Sequence, residues 1–358
     1  MRVLLVAAAS SIHAQRWANA LVDRGLEVHL ATQHDPLPSF DRRVVLHRLP
    51  HFGGLGYLLN HWSLRSLVQR VKPAVVNAHY ASGYGTLAVR TPSVPLVLNV
   101  WGSDVYEFPD TSRLHRWLLC RNLRRADDVV STSVVMAART KEVCPDIGTI
   151  TVVPFGVDIE RFAPAFRPAS DEVVIGTVKT LSPKYGIDTL IDAFKLVRDA
   201  HPGLKLRLRI VGSGAQRSDL EQRVQRLGLS ALVNFAGAVA HADVPAELNK
   251  LDVYVALSRT HSESFGVAVI EASACGLPVV VANVGGLPEV VEREVTGFVV
   301  APDDPAAAAQ AIMALLSSPE LRKRMGEAGR ARVAREYAWS TCVDRMLAVY
   351  ESAIRQHA

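Results

Sequence analysis

The chain has 358 residues and a mass of 38.9 kDa, with 49% apolar and 21% charged residues, which is enough for two ordinary domains and excludes a disordered segment or a small disulfide scaffold. Its formal net charge is +5 and is unevenly held: residues 1–165 carry 18 Lys+Arg against 13 Asp+Glu, and 166–358 carry 22 against 22. A basic first half points to an anionic or membrane-bound partner; with no recognition helix, finger or RNP-type aromatic strip, nucleic acid is not expected.

The apolar run Val3–Ala9 is short for a secretory signal and leads into a helical pattern, so it reads as a buried strand. No apolar stretch approaches the ~20 residues that span a bilayer. Cys120, Cys144, Cys275 and Cys342 contain no C-x-x-C pair for zinc or thiol exchange, and a reducing compartment is expected. The expected location is cytoplasmic, with peripheral contact at the inner face of the membrane left open.

In chain order, strands are predicted at Arg2–Ala8, Glu27–Thr32, Val44–Arg48, Ala74–Asn77, Leu96–Val100, Val129–Thr132 and Ile150–Val153, with a helix over Ala14–Arg24 stopped by Gly25. Pro154, Pro164 and Pro168 then interrupt the periodicity as a linker would. The pattern restarts with strands at Glu172–Lys179, Lys205–Val211, Val233–Ala236, Asp252–Ala256 and Pro278–Ala282, and helices at Ile187–Ala200, Arg217–Leu227 and Phe265–Cys275. The last predicted helix covers Glu336–Ile354. Such alternation predicts an α/β protein of two doubly wound, Rossmann-like domains, 1–162 and 163–335, with a C-terminal helix in 336–358; packing of that helix back on the first domain is one option, and sequence does not say which half it joins. Facing domains would form a ligand cleft at the carboxyl ends of both sheets.

The first strand-to-helix turn, Ala9–His13, lacks the glycines of a dinucleotide site, so NAD and FAD are not expected. Val211-Gly212-Ser213-Gly214 reads equally as a ligand-approach loop and as a plain turn. More informative is Glu263-Ser264-Phe265-Gly266-Val267-Ala268-Val269-Ile270-Glu271, in which two carboxylates flank a helix start whose free amides, loosened by Gly266, favour a phosphate. Eight helical residues rise about 12 Å, enough to separate a transferred sugar from a ribose. Glu271 lies in an otherwise apolar helix, where a lone charge needs a partner or a ligand. Lys179 and Lys184, at and after a strand end, supply cations for a diphosphate. No aspartates are spaced D-x-D, so these lysines and the helix amides are expected to act without a metal.

These residues resemble the family-4 retaining glycosyltransferases of GT-B architecture, as do Val153-Pro154-Phe155-Gly156-Val157-Asp158 with Phe162, Gly285-Gly286-Leu287-Pro288-Glu289 and Thr296-Gly297-Phe298. The resemblance implies that Lys179 and Lys184 contact a donor diphosphate, Glu271 the ribose and Glu263 the transferred sugar. It also puts the amides of Ser264, Phe265, Gly266 and Val267 on the distal phosphate and Val239 near the base. It implies a hexosyltransferase using a UDP-sugar first and a GDP-sugar second, with no cofactor, acting on a glycan or lipid-linked hydroxyl in cell-surface polysaccharide or glycolipid synthesis. A sugar-nucleotide epimerase or hydrolase and a non-catalytic glycosyltransferase-like subunit are the alternatives.

On the acceptor side, Asn99-Val100-Trp101-Gly102-Ser103-Asp104 is similar to the family's H-G-x-D segment, with Trp101 in the histidine's place. His13 and His79 are the candidate replacements, and Asp104 either serves the site or caps backbone amides. The segment Phe52–Arg65 reads either as a membrane-interface surface or as a buried helical face made by Leu58, Leu59, Trp62, Leu67 and Val71, the second being the stronger reading.

Overall fold

The computed structural model describes residues 1–91, 94–166, 168, 170–260 and 262–357; Arg167 and Ala169 of the expected linker lie outside the described residues. Two compact units are present: Met1–Pro154 together with Cys342–Ala358, and Phe155–Thr341. The divisions fall after 154 and 341, where the sequence placed them after 162 and 335. Backbone pairing explains the shift, because Val157 N donates to the Tyr337 carbonyl and Trp339 N donates to the Val157 carbonyl, both at 2.8 Å. Residues 342–358 belong to the first unit, where Asp344 pairs with Arg24 and His357 lies 3.2 Å from Asp127.

Among the described residues, the first unit holds strands β1 (Arg2–Val6), β2 (Glu27–Thr32), β3 (Val45–Arg48), β4 (Val75–His79), β5 (Leu96–Val100), β6 (Asp128–Ser131) and β7 (Ile150–Val152) in the order β3-β2-β1-β4-β5-β6-β7. The second holds β8 (Glu172–Val178), β9 (Lys205–Val211), β10 (Val233–Gly237), β11 (Val253–Ala256), β12 (Val279–Ala282) and β13 (Gly297–Val300) in the order β10-β9-β8-β11-β12-β13. Every pairing is parallel. Helices cover both faces of such sheets, so β4, β5, β11 and β12 are buried along their length and read as unbroken apolar runs. The strand order reverses between β1 and β4 and between β8 and β11, and loops leaving such reversal points are where ligands of these sheets bind.

Three local expectations are corrected. The helix predicted from Phe265 begins at Val267, because Gly266 has φ 101° and caps it in the left-handed region. Glu263 therefore lies outside the helix, and the 12 Å rise between the two glutamates does not apply. Strand β13 went unpredicted because it opens on a glycine that reads as a turn. In Phe52–Arg65 the buried-face reading fails for three residues: Leu58, Leu59 and Trp62 are 41%, 51% and 68% exposed, whereas Leu64, Leu67 and Val71 are buried. The cause is Asn60, whose amide bonds the His51 backbone in both directions (2.8 and 3.0 Å) and separates helix Gly53–Leu59 from helix His61–Val71.

The cysteine expectation is also corrected. Cys120, on helix Arg113–Leu123, is disulfide-bonded to Cys144, which caps helix Val134–Val143; the Cα atoms are 5.5 Å apart. Spacing could not reveal this pair because helix packing, not chain proximity, brings the sulfurs together. Cys275 and Cys342 remain thiols, pushed by burial to about 12 and about 11. Thiol titration of the unfolded, unreduced chain should find two reactive groups, and four after reduction. Cys144→Ser should cost about 3 kcal/mol in urea unfolding, the loop-closure contribution of a bridge of this span.

Candidate functional site

Lys179 is the first residue past β8, and its amide donates to the Val211 carbonyl at 2.9 Å. This close strand end is why Gly212 is a glycine: with φ 144°, a Cβ there would lie 1.9 Å from the Lys179 carbonyl oxygen. Gly212 thus permits the placement of Lys179 through backbone packing. The Lys179 ammonium is 2.8 Å from Glu263 Oε2, which also accepts from the Ser258 hydroxyl at 3.2 Å, and both ionic side chains are nearly buried, at 13% and 11% exposure. Lys184 sits on the 3-10 turn Pro183–Tyr185. The Tyr185 ring lies 4.5 Å from the Lys179 ammonium and 4.9 Å from that of Lys184, so one aromatic ring gathers two cations.

Arg259 fixes that turn. Its amide donates to the Lys184 carbonyl at 2.8 Å, and its guanidinium donates to the Pro183 carbonyl (3.1 Å), Asp188 and Thr189 (2.8 Å each) and pairs with Asp303. On the other side, Gly286 N donates to the Glu263 carbonyl at 2.8 Å, and a Cβ on Gly286 would fall 2.5 Å from the Ser264 carbonyl oxygen. The Gly285–Glu289 segment thereby underlies the turn Glu263–Gly266. Phe265 does not offer its side chain to a ligand: the ring packs edge-on against Phe155 and Tyr337 inside the unit, leaving only its backbone for that purpose.

The buried charge of Glu271 does have a partner. His241 Nε2 lies 3.0 Å from Glu271 Oε1. The imidazole packs on Phe162 at 5.7 Å, and its backbone carbonyl accepts from Arg161 at 2.6 Å. This explains Phe162, and it puts half-buried Val239 on the same loop as His241. Beneath both acids is the buried Tyr254, whose phenol is pushed up chiefly by burial and further by the charges of Glu263 and Glu271. His241, Ser258, Tyr185 and Arg259 were missed from the sequence; only the unexplained charge of Glu271 signalled that a partner was needed. Among the described residues no group of three or more His, Cys, Asp and Glu could hold a metal ion.

In the first unit the acceptor-side candidates separate. His79 is 1% exposed, with Nε2 2.9 Å from Asn77 Oδ1, and Trp101 packs on it with ring centroids 4.2 Å apart. His79 is therefore buried and cannot offer itself as a surface acceptor contact. Asp104 is 1% exposed and accepts from the amides of Ala81 (2.9 Å), Trp101 (3.1 Å) and Gly102 (2.9 Å), tying the loops after β4 and β5 together. Its pKa is raised by burial, against those three amide bonds. Trp101 is itself 8% exposed. His13 is half-buried, with its ring edge-on to Trp101 at 6.0 Å, and is the more accessible of the two histidines.

The profile described as "Glycosyl transferases group 1" matches residues 158–332, and that described as "Glycosyl transferase 4-like" matches residues 2–133. The chain belongs to the family-4-type glycosyltransferases of GT-B architecture. Within that family, a D-inositol 3-phosphate glycosyltransferase of Segniliparus rotundus is 35% identical over 237 residues, 63% of this chain and 52% of its own, so the chain spans about half the length of that relative. A glycosyltransferase of Methanocaldococcus jannaschii is 25% identical over 95% of this chain and 93% of its own. The structure of Anabaena HepE in complex with UDP has a TM-score of 0.84 at 20% identity, covering 98% of this chain and all of that one. HepE is also known in complex with UDP-glucose.

Two outcomes follow from the geometry. Lys179→Ala leaves a nearly buried carboxylate unpaired and should lower stability by about 3 kcal/mol in urea unfolding, while Lys179→Met with Glu263→Gln should recover most of it. Burial holds the His79 imidazole at about 3, against 6.5 when unfolded, so the unfolded chain binds the extra proton. The neutral, buried state is favoured above about 6.5, and stability should fall as pH drops from there toward 3, by on the order of 4 kcal/mol. His79→Gln should flatten that slope in pH-dependent unfolding.

Proposed function

We propose that the chain transfers a hexose, with retention of anomeric configuration, from a nucleotide-diphosphate sugar to a hydroxyl of a glycan or lipid-linked acceptor in cell-surface polysaccharide or glycolipid synthesis. UDP-sugars are the first choice of donor and GDP-sugars the second. The observation that carries the reading is the cluster at the β8–β11 reversal, where Lys179, Lys184 and Glu263 converge around Tyr185 and Ser258 beside the start of helix Val267–Ala274. Family membership and the UDP complexes of HepE support the same choice of donor.

In this reading the bond between the anomeric carbon and the diphosphate oxygen breaks, and the acceptor oxygen bonds that carbon from the same face. The departing diphosphate takes the acceptor's proton, so the products are a glycoside and a nucleoside diphosphate. Lys184 and the amides ahead of the helix stabilise the charge that gathers on the leaving oxygens, and no metal is invoked. Lys179 pairs with Glu263 at 2.8 Å and fixes where that carboxylate can accept a hydrogen bond from a sugar hydroxyl. Glu271, oriented by His241, accepts from the ribose diol. A charge that is needed only as the bond breaks affects turnover more than ground-state binding.

The test combines donor and acceptor panels with nucleotide release, followed by NMR of the product. A product that keeps the donor's anomeric configuration is expected; the opposite configuration would overturn retention. Donor conversion without any acceptor would instead mark an epimerase or hydrolase. Lys184→Ala should lower kcat on the order of 10²-fold with a smaller change in KM.

A further inference from the structure

The first unit carries apolar side chains that its core does not use. Leu55 and Leu58, on helix Gly53–Leu59, are 70% and 41% exposed, Trp62, at the start of helix His61–Val71, is 68% exposed, and Leu114 and Trp117 are 67% and 56% exposed on helix Arg113–Leu123. The two groups flank one cavity of about 510 Å³, lined by Tyr57 and Leu58 from the former and by His115 and Leu118 from the latter. Leu114, Trp117, Leu118 and Arg121 follow the i, i+3, i+4, i+7 spacing of one helical face, and Arg125 lies in the turn that follows the helix.

Positive charge surrounds these groups. Arg90 donates to the Leu58 carbonyl at 3.2 Å, and the Arg121 guanidinium lies 5.8 Å from the Trp117 ring. Burial lowers the Arg121 pKa, and the charges of Arg125 and Arg90 lower it further. Of the nearby acids on the segment Glu107–Thr111, Asp110 is already 3.3 Å from Arg139. Clustered like charges disfavour one another unless an anionic partner is near.

We propose that this face seats on an anionic membrane surface, with the leucines and tryptophans in the headgroup region and Arg90, Arg121 and Arg125 among lipid phosphates. Tryptophan with basic residues beside exposed leucines is the composition of an interfacial surface. A second copy of the chain is a poor occupant, because symmetric pairing over this face would oppose the same arginines. The inference stands apart from sugar transfer, since membrane binding is measured without donor.

The experiment is flotation of the full chain with phosphatidylcholine vesicles that contain or lack phosphatidylglycerol. Binding is expected only with the anionic lipid and should weaken between about 0.1 M and about 1 M salt as screening sets in. Arg121→Glu with Arg125→Glu should reduce it by roughly tenfold or more, since each arginine near such a surface contributes about fivefold. Trp62→Ser with Trp117→Ser should reduce it on the order of tenfold while the unfolding midpoint is retained. Absence of binding to the anionic vesicles, or equal binding by both folded double variants, would overturn the proposal. So would a dimer that the tryptophan variant dissociates and that does not bind vesicles; should a variant fail to fold, the lipid-charge and salt dependence of the native chain decide.

Discussion

The second unit depends on a close approach of backbone to backbone where β8 ends. Gly212 lets the Lys179 carbonyl come within a distance no side-chain-bearing residue would tolerate, and the lysine then reaches Glu263 at 2.8 Å with little water on either group. The strength of this pair comes from its confinement: each ion has lost most of its hydration and is compensated by the other and by Ser258. The neighbouring elements hold the geometry that makes the compensation possible. Arg259 anchors the turn of Lys184, and Gly286 bonds the carbonyl of Glu263 itself.

Glu263 and Glu271 are set apart by environment. Glu263 faces a lysine and a hydroxyl, whereas Glu271 faces an imidazole on a different loop. Both add to the effect of burial in raising the pKa of the buried Tyr254. Motifs that look separate in the chain, Phe162 and the Gly285–Glu289 segment, act by supporting these two acids: one packs on His241 and the other underlies the turn of Glu263.

The first unit is organised differently. Its buried Asp104 gathers three amides from two loops, and Trp101 covers His79, so the polar groups after β4 and β5 are spent on one another. On the outside, exposed leucines and tryptophans lie with arginines on and beside the helix Arg113–Leu123.

Much of the architecture was legible in the chain. A strand buried on both faces appears as an apolar run, as Leu96–Val100 does, and a half-covered one as an alternation, as Lys205–Val211 does, so these and Glu27–Thr32 were read to the residue. The residues of the acid-and-lysine cluster were also legible, because two carboxylates at a glycine-marked helix start and lysines at a strand end each break an otherwise apolar pattern. What stayed hidden was decided by contacts between residues far apart in sequence. The His241–Glu271 pair spans 30 positions, the Cys120–Cys144 bridge 24, and the outward turn of Trp62 depends on how Asn60 bonds His51. Local pattern determined which groups were available; only tertiary packing decided which met, because burial and partner choice depend on distances that sequence order does not encode.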